Sequence, residues 1–314
     1  MTAQTPMTDV DDSPPITSLR RALAVLGDPW TMLILKEAYN GIRRFGEFQR
    51  NLNIPKQTLS LRLSELCRQQ MLYRQYLNAN AGTILYFPTA KTYDLQEAMY
   101  SIWLWHRANP SPVDPLPFDL VHVPCGKLLG ASYCCTHCGE PATRESVKAH
   151  PAAGGQVDEA RQRLARRNDA AITAALDRGD TPIAASLIGD IPCNEVLYRL
   201  FQGPQHLLAL ARELELGQAV LRDRLNKLLA LELVREEKQG RLAVFSTLPR
   251  AEHFYPLLLS LAAWGDRWCN DTSPPPEIRV HACGNLLNAR FRCAHCGGWV
   301  GRNTISFQPR VQPA

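Results

Sequence analysis

The chain has 314 residues, 45% of them hydrophobic and 21% charged, with a formal net charge of +5. That length allows two domains with separate cores, and the mild positive excess permits a nucleic-acid partner without demanding one. No run of about eighteen apolar residues occurs, which excludes a membrane-spanning helix. Residues 1–15 are polar, acidic and Pro-rich and lack a signal peptide's basic start and apolar run. They read as a disordered tail on a cytoplasmic protein.

In chain order, residues 17–26 carry apolar positions at helical spacing. Residues 29–39 do so again, with Trp30, Leu33, Ile34 and Ala38 on one face, and Asn40-Gly41 ends that helix. A short helix over 45–52, a turn over 53–56 and a third helix over 57–69 follow, the third with Leu59, Leu63 and Leu66 inside. Residues 71–76 and 83–88 form a hairpin around the polar turn 78–82, and a last helix runs over 93–107. Helix, helix, turn, helix and hairpin is the winged form of the helix-turn-helix. Pro-rich joints at 109–117 and 271–276 and a Pro/Ala/Gly stretch at 151–156 divide the chain. Residues 157–177 read as a helix bearing Arg161, Arg163, Arg166 and Arg167.

The chain also repeats itself. Adding 162 to positions 26–74 places Gly27-Asp28 on Gly189-Asp190, Leu59 on Leu221, Arg62 on Arg224 and Leu66 on Leu228. An offset of 158 later places Cys125-Gly126 on Cys283-Gly284 and Cys138-Gly139 on Cys296-Gly297. The expected organisation is a tail (1–15), a first winged helix (16–108), a first ribbon (118–150), a linker helix with a second winged helix (157–270) and a second ribbon (278–307). The fold class is mainly α with small β (α+β): two winged helix-turn-helix domains, each followed by a small zinc-binding β-ribbon.

Ten cysteines in a reducing compartment, where they cluster, indicate metal rather than disulfides. His122, Cys125, Cys135 and Cys138 give one set of three thiolates and a histidine, and His281, Cys283, Cys293 and Cys296 give a second. Each set suits a closed tetrahedral zinc site, hence two structural zinc ions per chain. His137 and His295, inside the Cys-x-x-Cys knuckles, are the competing choice for the fourth ligand. A reduced buried cysteine cluster and a redox Cys-x-x-Cys centre remain as other readings. Cys67, Cys193 and Cys269 read as core thiols.

The third helix turns Lys56, Gln57, Ser60, Arg62 and Ser64 outward, donors suited to base edges and phosphates. Arg43, Arg44 and Arg50 precede it, and wing residues Asn78, Asn80 and Thr83 are placed to touch a neighbouring groove. The second copy offers Gln218, Arg222, Arg224, Asn226 and Lys227, with Asp223 among them. Residues 16–107 hold twelve Lys/Arg against six Asp/Glu, whereas residues 185–268 hold ten of each. Attraction to phosphate is therefore expected to be weaker in the second copy.

Residues 22–74, with Leu26-Gly27-Asp28-Pro29-Trp30-Thr31, Arg43-Arg44-Phe45-Gly46-Glu47-Phe48 and Leu59-Ser60-Leu61-Arg62-Leu63-Ser64-Glu65-Leu66, resemble the HxlR family of bacterial winged-helix regulators. The resemblance implies a dimeric transcription factor whose first and last helices pair and whose third helix enters the major groove of double-stranded DNA. With both halves in one chain, either an intramolecular pseudo-dimer or a homodimer with four winged helices would follow. Many members carry a cysteine beside a proline just before the first helix, and some sense oxidants there. Ser13-Pro14-Pro15 stands here instead, so redox sensing at that position is not implied.

No phosphate-binding loop, dinucleotide fingerprint or nucleophile elbow occurs, and a four-ligand zinc site leaves no position for substrate. The expected function is a sequence-specific DNA-binding regulator rather than an enzyme. The alternative is a protein-interaction module that binds a partner through the ribbons and the second copy. A small-molecule effector stays open, with no residue set marking it.

Overall fold

The structure, a computed structural model, describes residues 17–77, 83–110, 118–152, 187, 189–240, 242–269 and 275–310. The expected helix over 157–177, the joints at 111–117 and 271–274 and the wing tip with Asn78 and Asn80 lie outside the described residues.

Helix α1 (Ser18–Leu26) starts at Thr17, whose hydroxyl accepts from the Arg20 amide at 3.1 Å. Helix α2 (Pro29–Tyr39) starts at Asp28, whose carboxylate accepts from the Thr31 amide at 3.0 Å. Both are N-caps that satisfy a donor the helix leaves unpaired. The buried face of α2 is made by Met32, Ile34, Leu35 and Ala38, while Trp30 and Leu33 are only half-buried. Helices α3 (Phe45–Leu52) and α4 (Lys56–Arg68) follow, and α4 buries Leu59, Leu63 and Leu66. Strands β1 (Leu72–Tyr76) and β2 (Ile84–Pro88) pair antiparallel from Leu72↔Pro88 to Tyr76↔Ile84.

The last helix of this unit, expected over 93–107, forms, and a separate single turn stands ahead of it. A single turn, α5 (Ala90–Tyr93), precedes α6 (Gln96–Ala108). The cause is local: Thr89 donates its hydroxyl to the Gln70 carbonyl at 2.6 Å and Thr92 donates its hydroxyl to the Met71 carbonyl, both at the base of the wing. These bonds hold the first turn against β1 and let α6 leave in its own direction.

From α2 onward the second half carries the same order of elements among the described residues: α7 (Ile191–Gln202), β7 (Gln205–His206), α8 (Leu207–Leu214), α9 (Gln218–Ala230), β8 (Val234–Gln239), β9 (Leu242–Thr247), α10 (Pro249–Glu252) and α11 (Tyr255–Trp268). Strand β7 joins the wing to make the order β7-β9-β8. In the first half its counterpart is a single bridge, Arg44 to Leu85. Even the unusual backbone recurs. Among the described residues, the non-glycine left-handed positions are Asn53, Gln70, Glu215 and Glu232. They form two pairs, each 162 positions apart.

The two halves pack on each other through helices. Helix α11 lies against α1 and α6. A Cβ at Gly265 of α11 would stand 2.1 Å from the Ser18 carbonyl oxygen, so this crossing requires glycine. Trp105 of α6 meets Phe254 edge-on, with ring centroids 5.7 Å apart. Arg20 of α1 pairs with the buried Glu195 of α7 at 2.8 Å.

The cysteine-bearing segments depart from expectation. They comprise β3 (Phe118–His122), β4 (Lys127–Leu128), β5 (Ala131–Cys135), β6 (Val147–Pro151), β10 (Glu277–His281), β11 (Ala289–Cys293) and β12 (Ile305–Pro309). Two separate ribbons at 118–150 and 278–307 are not what forms. Strand β3 pairs with β12, β6 with β10 and β5 with β11, so every long strand takes its partner from the other half. Such short segments bury too little surface to stand alone, and pairing across the halves gives each long strand a hydrogen-bonded neighbour. Arg144 and Arg302, 158 positions apart, seat the joined ribbons reciprocally. Arg144 reaches Glu252 at 3.1 Å in the second half, and Arg302 lies 3.7 Å over the Tyr93 ring in the first.

Candidate nucleic-acid interface and metal centres

Helix α4 presents Lys56, Gln57, Ser60, Leu61, Ser64 and Arg68 to solvent. This is one face at helical spacing, opposite the buried leucines. Leu61, which lies off the stripe of Leu59, Leu63 and Leu66, is 65% exposed. Arg44 and Arg50, on and beside α3, are exposed as well. These groups form a polar and basic surface with one apolar contact at its centre, the mixture that major-groove reading uses.

Four of the arginines expected to touch DNA are engaged within the protein, Arg222 of the second half among them. Arg43 donates to the Ala38 and Ile42 carbonyls at 2.6 and 2.8 Å and lies 5.3 Å over the Phe87 ring, closing the C-terminus of α2 onto the wing. Arg62 pairs with Asp28 at 2.5 Å. Arg224 pairs with Asp190 at 3.1 Å, and Lys227 binds the other oxygen of that carboxylate at 3.1 Å. Asp28 and Asp190 are the N-caps of α2 and α7. Arg62 and Arg224 thus tie the third helix of each unit to the start of the helix behind it. Their side chains are spent on position, which the sequence pattern alone could not reveal.

The second face is different. Helix α9 exposes Gln218, Ala219, Val220, Asp223, Asn226 and Ala230. Position by position, glutamine stands for Lys56, aspartate for Leu61 and alanine for Arg68. Arg222 is paired with Glu236 of the wing at 3.1 Å and lies 5.4 Å over the Phe245 ring.

The eight expected metal ligands come together in two clusters, but not in the expected sets. His122 and Cys125 join Cys293 and Cys296, while Cys135 and Cys138 join His281 and Cys283. Each cluster takes two ligands from each half. The correction follows from the strand pairing, since β5 and β11 run antiparallel and carry Cys135 and Cys293 to opposite ends of the joint.

The distances fit a tetrahedral ion. Metal–sulfur and metal–nitrogen bonds of zinc length imply S···S edges of about 3.8 Å and S···N edges of about 3.5 Å. Cys125 and Cys293 sulfurs are 3.9 Å apart, and His122 Nδ1 is 3.4 Å from both Cys125 and Cys296. In the other cluster Cys135 and Cys283 are 3.9 Å apart, and His281 Nδ1 is 3.5 Å from Cys138. His281 Nε2 stands 3.3 Å from the Pro141 carbonyl. A proton on Nε2 donated there leaves the Nδ1 lone pair for a cation, the usual support for a ligating histidine.

The amide of Asn285 donates to the Cys283 sulfur, the largest of the causes that lower that thiol to about 6. Gly139 and Gly297, at φ +80° and +69°, turn each knuckle back beneath its sulfurs. Arg292 lies between the knuckles and donates to the Gly297 carbonyl at 2.8 Å and the Gly139 carbonyl at 3.4 Å. His137 and His295 belong to neither cluster. Cys193 is buried, and Cys67 and Cys269 are half-buried.

A three-helix unit with a wing, its third helix outward and polar, defines a winged helix-turn-helix protein. Residues 25–113 match the family described as HxlR-like helix-turn-helix. HTH-type transcriptional regulators of Mycobacterium bovis and Mycobacterium tuberculosis are each 38% identical to the chain over 138 residues, which is 44% of this chain and 87% of theirs. The chain belongs to the HxlR-like helix-turn-helix family. Two solved structures are also similar. One, of the candidate transcription factor PA1607, is 27% identical and covers 44% of this chain and 90% of that one, with a TM-score of 0.34. The other, a candidate transcription factor of Pseudomonas aeruginosa (PA1374), is 28% identical and covers 47% and 99%, with a TM-score of 0.32.

Proposed function

We propose that the chain regulates transcription by binding double-stranded DNA, with α4 in the major groove. The observation that carries the reading is the outward face of α4. Lys56, Gln57 and Ser60 stand exposed in the first two turns, flanked by Arg44 and Arg50. In this reading Arg44, Arg50 and Lys56 hold phosphates, Gln57 and Ser60 meet base edges, and Leu61 meets a thymine methyl group.

The chain acts as an intramolecular pseudo-dimer, with α9 as a second and weaker head. Support comes from the relatives, since a match filling 87% of them occupies 44% of this chain, and from the packing of α11 on α1 and α6. Each Cys₃His cluster takes one zinc ion. With four protein ligands each site is closed, so the ions are structural and the chain works as a regulator and not a catalyst. Among the described residues, no helix is long and apolar enough to cross a membrane, and the cytoplasm is the compartment this function requires.

The test is selection of duplexes from a random library by the purified chain, followed by affinity measurements over a range of salt. Selective binding with a steep salt slope is expected. Lys56→Ala should lower affinity for all sequences and reduce the slope by about 1, whereas Gln218→Ala should change little. Failure to enrich any duplex would return the interaction-module reading to the front.

A further inference from the structure

We infer that the two metal ions are clasps between the halves of the chain: each is bound half by residues of the first repeat and half by residues of the second. The inference deepens the zinc reading above and rests on it. Its basis is the crossed grouping of ligands, with Cys125 beside Cys293 and Cys135 beside Cys283, both at 3.9 Å. These pairs are separated by 168 and 148 residues along the chain. A tetrahedral ion bound to either cluster closes a loop of that length, through the intervening linker.

Three further features place the same groups at a joint and not within a ribbon. Strands β5 and β11 pair so that Ala131 faces Cys293 and Cys135 faces Ala289. Arg292 of the second half donates to the Gly139 carbonyl of the first half's knuckle. The second cluster's histidine, His281, has its far nitrogen against Pro141 of the first half. Each ion therefore has its ligands divided between the repeats, and the site at Cys135, Cys138, His281 and Cys283 has its supports divided as well. Metal occupancy fixes how the ribbons join, and through Arg144 and Arg302 it fixes how the joint sits on the two winged helices.

The experiment uses the full chain and thiol protection. Wild-type protein is expected to hold two zinc ions. In Cys125→Ser one ion should remain, and N-ethylmaleimide should then modify Cys293 and Cys296 while Cys135, Cys138 and Cys283 stay protected, as read by peptide mass spectrometry. Cys135→Ser should give the mirror result, with Cys138 and Cys283 modified and Cys293 and Cys296 protected. Release of Cys135 and Cys138 by Cys125→Ser would overturn the clasp and restore two self-contained ribbons. The double variants give a second measure. Cys125→Ser with Cys293→Ser should leave one ion and Cys125→Ser with Cys135→Ser none, and the reverse result would overturn the clasp. Folded wild-type protein free of metal would overturn the zinc reading itself. None of these readouts involves DNA, so a failure here is distinct from a failure of the DNA-binding proposal.

Discussion

Tyr133 and Phe291 occupy the same position in the two halves, 158 residues apart, and face each other across the centre of the β5–β11 pair with ring centroids 5.1 Å apart. Each is its partner's counterpart, so the local two-fold axis runs between them. Both are buried, and Phe291 also meets Tyr100 of α6 edge-on at 6.4 Å. Truncation here removes the apolar centre of the joint. Phe291→Ala is expected to cost about 3–5 kcal/mol in denaturant unfolding, and Tyr133→Phe less than about 1.5 kcal/mol.

Arg62 and Arg224 support the caps of α2 and α7, so their loss should be felt as instability before it is felt as lost DNA contacts. The Asp28 side chain is 5% exposed. Without Arg62 its charge is left buried beside a single amide. Arg62→Ala is expected to destabilise by about 2–4 kcal/mol, and Arg62→Ala with Asp28→Asn by distinctly less. Equal stability of all three proteins in urea unfolding would show that Arg62 is free to serve DNA.

Gly265 permits the approach of α11 to α1. The added carbon in Gly265→Ala would meet the Ser18 backbone, which cannot move aside as a flexible side chain would. A loss of about 2 kcal/mol or more is expected, seen as a lowered Tm. Gly217→Ala, where nothing lies within 4 Å of the added carbon, serves as the control and should be close to neutral.

Glu97 carries a pH signature. Burial is the main cause that pushes its carboxyl from 4.5 to about 7, although it accepts the Phe291 amide at 3.2 Å. The folded protein then holds a proton that the unfolded chain releases between pH 4.5 and 7. Its contribution to stability is complete below about 4.5 and is lost as pH rises through about 7. Glu97→Gln keeps an acceptor for Phe291 and removes the titration. The difference in stability between pH 5 and pH 8 should shrink by up to about 3 kcal/mol relative to wild type. An unchanged difference would place the titration elsewhere, Glu195 being, among the described residues, the other buried carboxyl raised to about 7.

Much of the winged helix is legible in the sequence because its signals are local. Asp28-Pro29 announces a cap and first turn, and the leucines at 59, 63 and 66 announce a buried stripe. The joint is not legible, and the reason is physical. His122-x-x-Cys125 and Cys135-x-x-Cys138 have spacings equally suited to one site or to halves of two, and only the long-range pairing of β5 with β11 decides between them. The same holds for Arg62, whose place on an outward helical face is visible in the pattern while its partner 34 residues earlier is not. Glu97 carries no signal at all, since a carboxylate in the first turn of a helix is ordinarily a solvated one.

Neither cluster takes all its ligand groups from one half of this chain. A fragment carrying only the first repeat would bring two donors to each cluster, and two identical fragments would close two identical sites by symmetry. In the full chain each cluster draws its groups from the two halves of one polypeptide. Two copies of one fragment would have to read DNA with matching faces. A single polypeptide acting as the proposed pseudo-dimer would be released from that rule, and the unlike residues at corresponding positions, Lys56 and Gln218, Leu61 and Asp223, fit such a release. On the proposed reading, with α4 and α9 as the two heads of one chain, an operator without a palindrome would be the natural target.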